Sequence, residues 1–443
     1  MQVAMIEIIP VGGFREVGKN CTAVKVDDEV IILDMGLHLQ NYITYTQDEE
    51  EVDVSYEKLR EIEAVPDISV ISEWMPMVKA ICVSHAHLDH IGAIPFLASH
   101  FKCPIHGSPY SIEVVKILAE DKGVKLHNKL VAHEINSKFK ISGAIEIEFI
   151  GITHSVVQTI MIVIHTKYGA LVYVNDFKLD NQPTLGHKTN LGRIAELKNV
   201  KVMIIDSLYA GRPIKTPSES VAKELLREVM VSTNSKSKAM IISTFSSHLA
   251  RLKSIIEFSR QLKRKPVFLG RSLEKYVRAG ENIGIIEFSK EAKIIKYRQE
   301  VQKFLKNCKR PEDYVFIVTG HQGEPKSVLA RMIFNNYFHF KTEDIVIFSC
   351  TIIPVPGTIE NREKMESELR KKRVRIFRDI HVSGHGARED ARDLINLIKP
   401  KNIIPAHSEI KTAEQFLELA EELGYRENKN VFIVKNGHKL AFK

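Results

Sequence analysis

The chain has 443 residues, of which 44% are hydrophobic and 27% are charged, with a formal net charge of +8. This length allows two domains with a sizeable core. No apolar run approaches the roughly 20 residues of a membrane span, which excludes an integral membrane protein and a membrane partner. The five cysteines include no C-x-x-C pair, which argues against a disulfide framework and a cysteine zinc site. We therefore expect reduced thiols and a cytoplasmic location.

The first predicted strands end on polar side chains. The apolar run 30–33 ends at Asp34, and the run 78–83 leads into residues 84–90, which read S-H-A-H-L-D-H. Histidines packed this closely compete for solvation and repel one another when protonated, so an ordinary loop gains nothing from them. Asp34 is expected to orient a histidine. The segment predicts a metal site with the ligands His85, His87, Asp89 and His90.

Further along the chain, three apolar runs each end near one residue of a metal-ligating type. They are 145–150 with His154, 170–174 with Asp176, and 402–406 with His407. Rigid strands that hold ligand-bearing loops build such sites at sheet edges. We expect two divalent ions per chain, with Zn²⁺ as the first choice and Mn²⁺ as the alternative. The predicted ligands are His85, His87 and His154 for one ion, Asp89, His90 and His407 for the other, and Asp176 as the bridge.

The region from about 206 to 375 contains no expected metal ligand and has its own α/β pattern. Its candidate strands lie at 239–243, 266–269 and 344–348. Each ends at a polar or glycine-rich turn, and such turns form the ligand crevice of open α/β sheets. Basic clusters at 263–265, 306–310 and 371–375 are typical of contact with a polyanion. We expect an inserted domain, after which the chain returns to complete the first core.

With the ligand pattern in view, the sequence resembles a known family. The H-x-H-x-D-H motif, followed by His154 and Asp176, is similar to the metallo-β-lactamase fold. Further segments narrow the resemblance to the β-CASP nucleases and, among them, to the archaeal RNase J group. These segments are V-G-G-F-R-E-V-G-K-N at 11–20, N-D-F-K at 175–178, D-S at 206–207, T-G-H-Q-G-E-P at 319–325, H-V-S-G-H-G at 381–386 and P-A-H at 405–407.

The resemblance implies an α/β fold in which a metallo-β-lactamase αββα sandwich carries an inserted β-CASP α/β domain. The first part of the sandwich domain is expected at 1–205, the β-CASP domain at 206–375, and the return segment at 376–443. The chain departs from the family pattern in three places: S-V-V-Q-T at 155–159, Leu208-Tyr209 where Thr-Asn is usual, and His321 where a smaller residue is common. These departures concern the path of the RNA and the 5′-end pocket, since none of them removes a ligand.

The implied activity is metal-dependent degradation of single-stranded RNA from its 5′ end, with preference for a 5′-monophosphate. The nucleophile would be a water between the metals, with Asp89 and Asp176 as the neighbouring carboxylates. His385 would stabilise the scissile phosphate or protonate the leaving oxygen. The resemblance assigns the 5′-phosphate pocket to Ser207, His381, Ser383 and Gly384, with His385 beside them.

Two other kinds of function stay open at this point. One is a β-CASP endoribonuclease of RNA processing, which would cut internally. The other is a non-catalytic RNA-binding scaffold on the same fold, although the presence of all seven ligand residues argues against it. The sequence also leaves open whether single-stranded DNA is cut and whether the chain forms a homodimer.

Overall fold

The computed structural model of the chain describes residues 5–46, 54–352 and 357–443. The strands in these residues are β1 (Ile6–Gly12), β2 (Phe14–Arg15), β3 (Cys21–Val26), β4 (Glu29–Leu33), β5 (Val78–Cys82), β6 (Ile105–Gly107), β7 (Leu130–Ala132), β8 (Ser137–Lys140), β9 (Glu146–Gly151), β10 (Ile160–Thr166), β11 (Gly169–Val174), β12 (Val200–Asp206), β13 (Met240–Ser243), β14 (Lys265–Leu269), β15 (Lys293–Ile295), β16 (Tyr314–Val318), β17 (Ile345–Phe348), β18 (Arg375–Phe377), β19 (Ile403–Ala406), β20 (Ser408–Glu409) and β21 (Leu440–Phe442).

The α-helices in the same residues are α1 (Leu39–Thr46), α2 (Tyr56–Glu61), α3 (Leu88–Ile91), α4 (Ile94–Leu97), α5 (Pro109–Asp121), α6 (Leu191–Ala195), α7 (Glu219–Val231), α8 (Leu249–Gln261), α9 (Arg271–Asn282), α10 (Arg298–Lys306), α11 (Val328–Phe334), α12 (Thr358–Lys371), α13 (Arg388–Ile398) and α14 (Ile410–Glu422). Short 3₁₀ helices lie at Ile68–Met77, Ala98–His100, Phe288–Lys290 and Pro311–Asp313. None of the described helices is long and apolar enough to cross a membrane.

Two sheets packed face to face form the body that carries the predicted ligands. One has the strand order β21-β1-β3-β4-β5-β6-β7, and the other has the order β19-β12-β11-β10-β9-β8. Their inner faces share one apolar cluster, in which Ile8 and Ile31 of the first sheet are buried with Ile162 and Leu171 of the second. Helices α4 and α5 cover the outer face of the first sheet, and α13 and α14 cover that of the second. The predicted αββα sandwich is confirmed.

A third sheet, inserted between β12 and β19, is parallel throughout and has the order β15-β14-β16-β13-β17-β18. Three of its strands, β13, β14 and β17, lie where the sequence predicts strands. Apolar clusters cover both faces, as the continuous hydrophobic runs of a buried parallel sheet require. The predicted domain boundary after residue 375 falls inside β18, which pairs with β17, and the domain boundaries stay predictions.

Strand direction brings the predicted ligands to one edge of the sandwich. β4 runs parallel to β5, and β11, β12 and β19 run parallel to one another. β9 has the same direction as β11, because both are antiparallel to β10. The loops that follow these strands therefore open at the carboxyl ends, where ligand-bearing loops of such sheets gather.

Candidate active site

The first predicted ligand group is a compact set of three imidazoles and one carboxylate. The Nδ1 atom of His87 lies 3.1 Å from Nε2 of His85 and 3.1 Å from Nε2 of His154. The Oδ2 atom of Asp176 lies 3.5 Å from Nε2 of both His85 and His154. Donor atoms held at about 2.0–2.1 Å around a tetrahedral zinc ion are separated by roughly 3.3 Å. The spacing of these four donor atoms fits one such ion.

The second group lies on the other side of the same aspartate. The Nε2 atom of His90 is 3.2 Å from Oδ1 of Asp176 and 3.7 Å from Oδ2 of Asp89, and Nε2 of His407 is 3.8 Å from that Asp89 oxygen. Apart from this contact with His90, Oδ1 of Asp176 is buried with no hydrogen-bond partner among the described residues. A buried carboxylate oxygen without a partner is costly unless a cation or donor satisfies it. The donor set therefore fits two divalent ions bridged by Asp176.

The protonation states of the first group suit metal binding. Burial lowers the pKa of His87 to about 4 and holds the pKa values of His85 and His154 well below the ordinary range. Burial alone would raise the pKa of Asp176, but the neighbouring His407 and His90 hold it well below its ordinary value. At neutral pH the imidazoles are neutral and the carboxylate is ionised, which are the forms that ligate metals.

Asp34 orients the second group, as predicted. Its buried Oδ2 atom accepts hydrogen bonds from Nδ1 of His90 at 2.7 Å and from the hydroxyl of Tyr173 at 2.9 Å. The backbone N–H and the hydroxyl of Ser84 also donate to this carboxylate, each at 2.7 Å. Such contacts fix the tautomer and the ring orientation of a metal-ligating histidine, so His90 presents Nε2 to the cluster.

Asn20 also belongs to the site, and sequence reasoning gave it no role. Its Nδ2 atom lies 2.8 Å from Nδ1 of His407 and donates to the backbone carbonyl of Asp89 at 3.1 Å. Its Oδ1 atom accepts from Nδ2 of Asn175 at 2.8 Å. The available signal was the segment 11–20, which carried the family resemblance and ends at this asparagine.

His385 lies at the edge of the cluster with one ring nitrogen toward it. Its Nε2 atom is 3.7 Å from Oδ2 of Asp176, and its Nδ1 atom is 2.8 Å from Oδ2 of Asp206. Burial alone would lower the pKa of His385, but Asp176 and Asp206 raise it to about 9. An imidazolium in this position can donate a proton or a hydrogen bond to a bound phosphate.

The loop 381–386 supplies several of the predicted substrate-binding residues. Oγ of Ser383 accepts from the backbone N–H of His385 at 2.9 Å. The carbonyl of Gly384 accepts from Nδ1 of His154 at 2.7 Å. A Cβ atom at Gly384 would stand 2.8 Å from the side chain of Ser155, so only glycine fits this approach. Nδ1 of His381 is buried and has no hydrogen-bond partner in the described part of the chain.

Ser207 makes different contacts from the other predicted pocket residues. Its hydroxyl is buried, donates to the carbonyl of Ala406 at 2.9 Å and lies 2.7 Å from Oγ of Ser408. These bonds tie the turn after β12 to the chain around His407. Tyr209 of the same turn contacts the 381–386 loop through its ring, which meets the His385 ring edge-on with centroids 5.9 Å apart.

The inserted domain also reaches the cluster. Oγ of Ser247, in the turn after β13, lies 3.2 Å from Nε2 of His87. His248 follows this turn and precedes helix α8, which carries Arg251. Arg251 is fully buried and donates to both carboxylate oxygens of Glu219 and to the carbonyl of Ile380. The sequence predicted a ligand crevice at this turn but no contact between Ser247 and a metal ligand.

Comparisons with known proteins agree with this architecture. Family models match at residues 15–127 (metallo-beta-lactamase superfamily), 237–366 (ribonuclease J, beta-CASP domain) and 371–434 (Zn-dependent metallo-hydrolase RNA specificity domain). The chain is 40% identical to a ribonuclease J of Pyrococcus abyssi, covering 99% of this chain and 97% of that one. It is also 40% identical to a ribonuclease J of Methanocaldococcus jannaschii, covering 99% of each.

More distant matches cover the same residues. A ribonuclease J of Helicobacter pylori is 30% identical, and the match spans 99% of this chain but 60% of that protein. Among solved structures, a protein of unknown function from Enterococcus faecalis superposes with a TM-score of 0.67 at 16% identity, over 99% of this chain and all of that one. This last likeness concerns the fold alone.

Proposed function

Since the chain belongs to the ribonuclease J family and is a metal-dependent ribonuclease, we propose that it degrades single-stranded RNA from the 5′ end and prefers a 5′-monophosphate. The observation that carries this proposal is the position of the 381–386 loop. One of its histidines, His385, stands beside the ligand cluster. The other, His381, faces Phe245 of the inserted domain, and its buried Nδ1 atom has no hydrogen-bond partner within the described ranges. One loop thus offers both a scissile-phosphate contact and an end-phosphate contact.

We infer two divalent ions per chain, with zinc as the first choice and manganese as the alternative. When bound, such a pair supplies a water of lowered pKa and neutralises charge that builds on the phosphoryl group. As carboxylates of the two ligand groups, Asp89 and Asp176 would lie near such a water and would be the candidates to accept its proton. His385, with Nδ1 held by Asp206 at 2.8 Å, keeps Nε2 free to donate to the phosphate or to the leaving 3′ oxygen.

The end-phosphate pocket is proposed on the inserted-domain side of the loop. His381 lies 6.0 Å from Phe245 between ring centroids, and Arg251 donates to the carbonyl of the preceding residue, Ile380. The Ser383 hydroxyl and the buried Nδ1 of His381 are short polar contacts suited to one terminal phosphate. A pocket that accepts a single terminal phosphate would favour a monophosphate over a triphosphate by volume and charge.

The test is a product time course on a single-stranded RNA labelled at its 3′ end. The substrate is prepared with a 5′-monophosphate, a 5′-hydroxyl and a 5′-triphosphate, each with and without chelator. We expect progressive shortening, fastest for the monophosphate and abolished by chelator. Internal fragments that are indifferent to the 5′ group would instead identify an endonuclease. The same assay on single-stranded DNA measures whether RNA is the only substrate.

The pocket assignment has its own test in Ser383→Leu. The larger apolar side chain occupies space beside His381 and removes the hydroxyl, so the ratio of monophosphate to hydroxyl turnover is expected to fall by roughly tenfold, as for the loss of one charge-assisted hydrogen bond. Ser289→Leu, the same substitution at an exposed serine of the inserted domain, serves as the control. An unchanged ratio in Ser383→Leu would remove this loop from the pocket.

The cellular setting is part of the same proposal. All five cysteines, including the buried Cys21 and Cys82, are free thiols, which supports a reducing compartment such as the cytoplasm.

A further inference from the structure

Arg212 is held beside the active-site loop by Tyr209, a residue that departs from the family pattern. The guanidinium carbon of Arg212 lies 4.0 Å from the ring centroid of Tyr209. The Tyr209 ring meets the His385 ring edge-on, with centroids 5.9 Å apart at 79°. Tyr209 is half-buried and Arg212 is exposed, so the guanidinium extends the active-site surface outward from His385.

Backbone hydrogen bonds fix the segment that carries Tyr209 and Arg212. The turn after β12 is closed by hydrogen bonds from the N–H of Arg212 to the carbonyl of Tyr209 at 3.0 Å and from the N–H of Arg388 to the carbonyl of Arg212 at 3.1 Å. Tyr209 also forms an isolated bridge with Ala387. A few residues later, the hydroxyl of Thr216 donates to the carbonyl of His385 at 2.8 Å. The segment that carries Arg212 and the loop that carries His385 therefore form one unit.

Arg212 has the donors and the charge to bind an anion. Among the described residues, no carboxylate oxygen lies within 4.0 Å of its guanidinium nitrogens. Stacking on a tyrosine covers one face of a guanidinium but leaves its in-plane N–H groups free, and these match the oxygens of a phosphate. The stack also fixes the side chain beforehand, which reduces the entropy lost on binding.

The order of contacts along the loop indicates which phosphate of the RNA Arg212 would bind. The 381 end of the loop faces the inserted domain, the middle places His385 beside the ligand cluster, and the 387–388 end touches the segment of Tyr209 and Arg212. We propose that Arg212, held over the ring of Tyr209, binds the RNA phosphate that follows the scissile one. This deepens the proposed function and rests on it, since it assumes that the terminal phosphate occupies the His381 end.

The test compares two substrates in wild type and Arg212→Ala. One is a 5′-phosphorylated dinucleotide, which has a terminal and a scissile phosphate but none beyond. The other is a 5′-phosphorylated oligonucleotide that continues past the cleavage site. Arg212→Ala is expected to raise KM roughly tenfold for the oligonucleotide, with little change in kcat, and to leave the dinucleotide unaffected. An equal rise in KM for both substrates would overturn the assignment.

Further variants separate stacking from charge. Tyr209→Ala should reproduce the KM effect of Arg212→Ala, Tyr209→Phe should largely retain wild-type KM, and Arg212→Lys should recover part of the affinity. Arg426→Ala, at an exposed arginine near the amino end of β19 and therefore away from His407, is the matched control. If the KM for the oligonucleotide were the same in Arg212→Ala and in Arg426→Ala, the proposal would be refuted.

Binding without turnover distinguishes this inference from the proposed function. In chelator, the affinity of Arg212→Ala for the oligonucleotide should depend less steeply on salt, with a log–log slope shallower by about 0.7 for one lost phosphate contact. An unchanged slope would count against Arg212 whatever the direction of cleavage. The proposed 5′ direction fails on a different result, the internal fragments from the wild-type enzyme.

Discussion

At the scale of single residues, Asp176 is the side chain on which both ligand groups converge. Its two oxygens point to different imidazoles, Oδ2 to His85 and His154 and Oδ1 to His90. One carboxylate shared in this way sets the separation of two ions, which in such sites is about 3.5–4 Å. A change at any ligand of either group therefore alters a geometry that the other group shares.

The first prediction concerns the ligands themselves. The double variant His85→Ala with Asp89→Ala removes one ligand from each group, so turnover of single-stranded RNA should be abolished. Most RNA affinity should remain, because phosphate contacts outside the cluster are untouched. Affinity is measured by equilibrium binding at one salt concentration. The control is His438→Ala with Asp28→Ala, at exposed positions; retained turnover in the ligand variant would refute the metal assignment.

The second prediction concerns the residue that orients His90. Asp34→Asn keeps the size of the side chain but removes the charged acceptor of the His90 Nδ1 hydrogen. Loss of such an orienting carboxylate typically costs 10–100-fold in metal affinity. Competition with a chromophoric chelator measures it. Tyr173→Phe, which removes one donor and leaves the carboxylate, should cost less. Equal metal affinities in Asp34→Asn and wild type would contradict the assigned role.

At the scale of elements, the edge formed by β6 and β7 carries a histidine pair with no part in the proposed chemistry. Nδ1 of His106 lies 2.8 Å from Nε2 of His133, and the His133 ring stacks on Phe139 with centroids 3.5 Å apart. His106 is 7% exposed, and burial, with the nearby His133, lowers its pKa to about 4. The pair is thus kept neutral inside the folded edge.

The third prediction follows from this lowered pKa. An unfolded histidine has a pKa near 6.5, so the unfolded state binds more protons than the folded state between pH 6.5 and 4. The stability that neutral His106 provides is complete above pH 6.5 and is lost as pH falls. The loss between pH 7 and 5 is about 2 kcal/mol. We expect the free energy of unfolding of His106→Gln, measured in urea, to fall by about 2 kcal/mol less than that of wild type between pH 7 and 5. The control His438→Gln, at an exposed position, should lose as much unfolding free energy as wild type over this pH range. An equally large loss in His106→Gln would contradict the prediction.

The elements also show what the sequence could and could not predict. The apolar runs made the gathering of the predicted ligand residues foreseeable, and β13, β14 and β17 were predictable for the same reason. β15 and β18 are three residues long, too short to leave a periodic signal, and the apolar run of β16 was not assigned. Ser247 meets His87 across 160 residues of chain, and no local pattern records a contact between separate domains.

At the scale of the whole molecule, the cluster joins parts of the chain that are far apart in sequence. The predicted ligands begin at His85, after β5 of the first sheet, and end at His407, after β19 of the second. Between them the chain builds the entire inserted sheet. Divalent ions bound by these residues would therefore connect the two sheets of the sandwich and fix the return segment against the first part of the chain, in addition to their chemical role.

The last prediction is that metal content controls the stability of the sandwich. An ion that binds only the folded state at 100 times its Kd stabilises by about 2.7 kcal/mol, so chelator should lower the thermal midpoint and added Zn²⁺ should restore it. His407→Ala removes the return segment's ligand but keeps the group of His85, His87, His154 and Asp176. Its response to zinc should therefore be about half that of wild type, whereas His438→Ala should respond fully. If zinc raised the thermal midpoint of His407→Ala as much as that of wild type, the prediction would be wrong. The return segment would then be held by packing around β19 alone, because the ions would contribute nothing to its attachment.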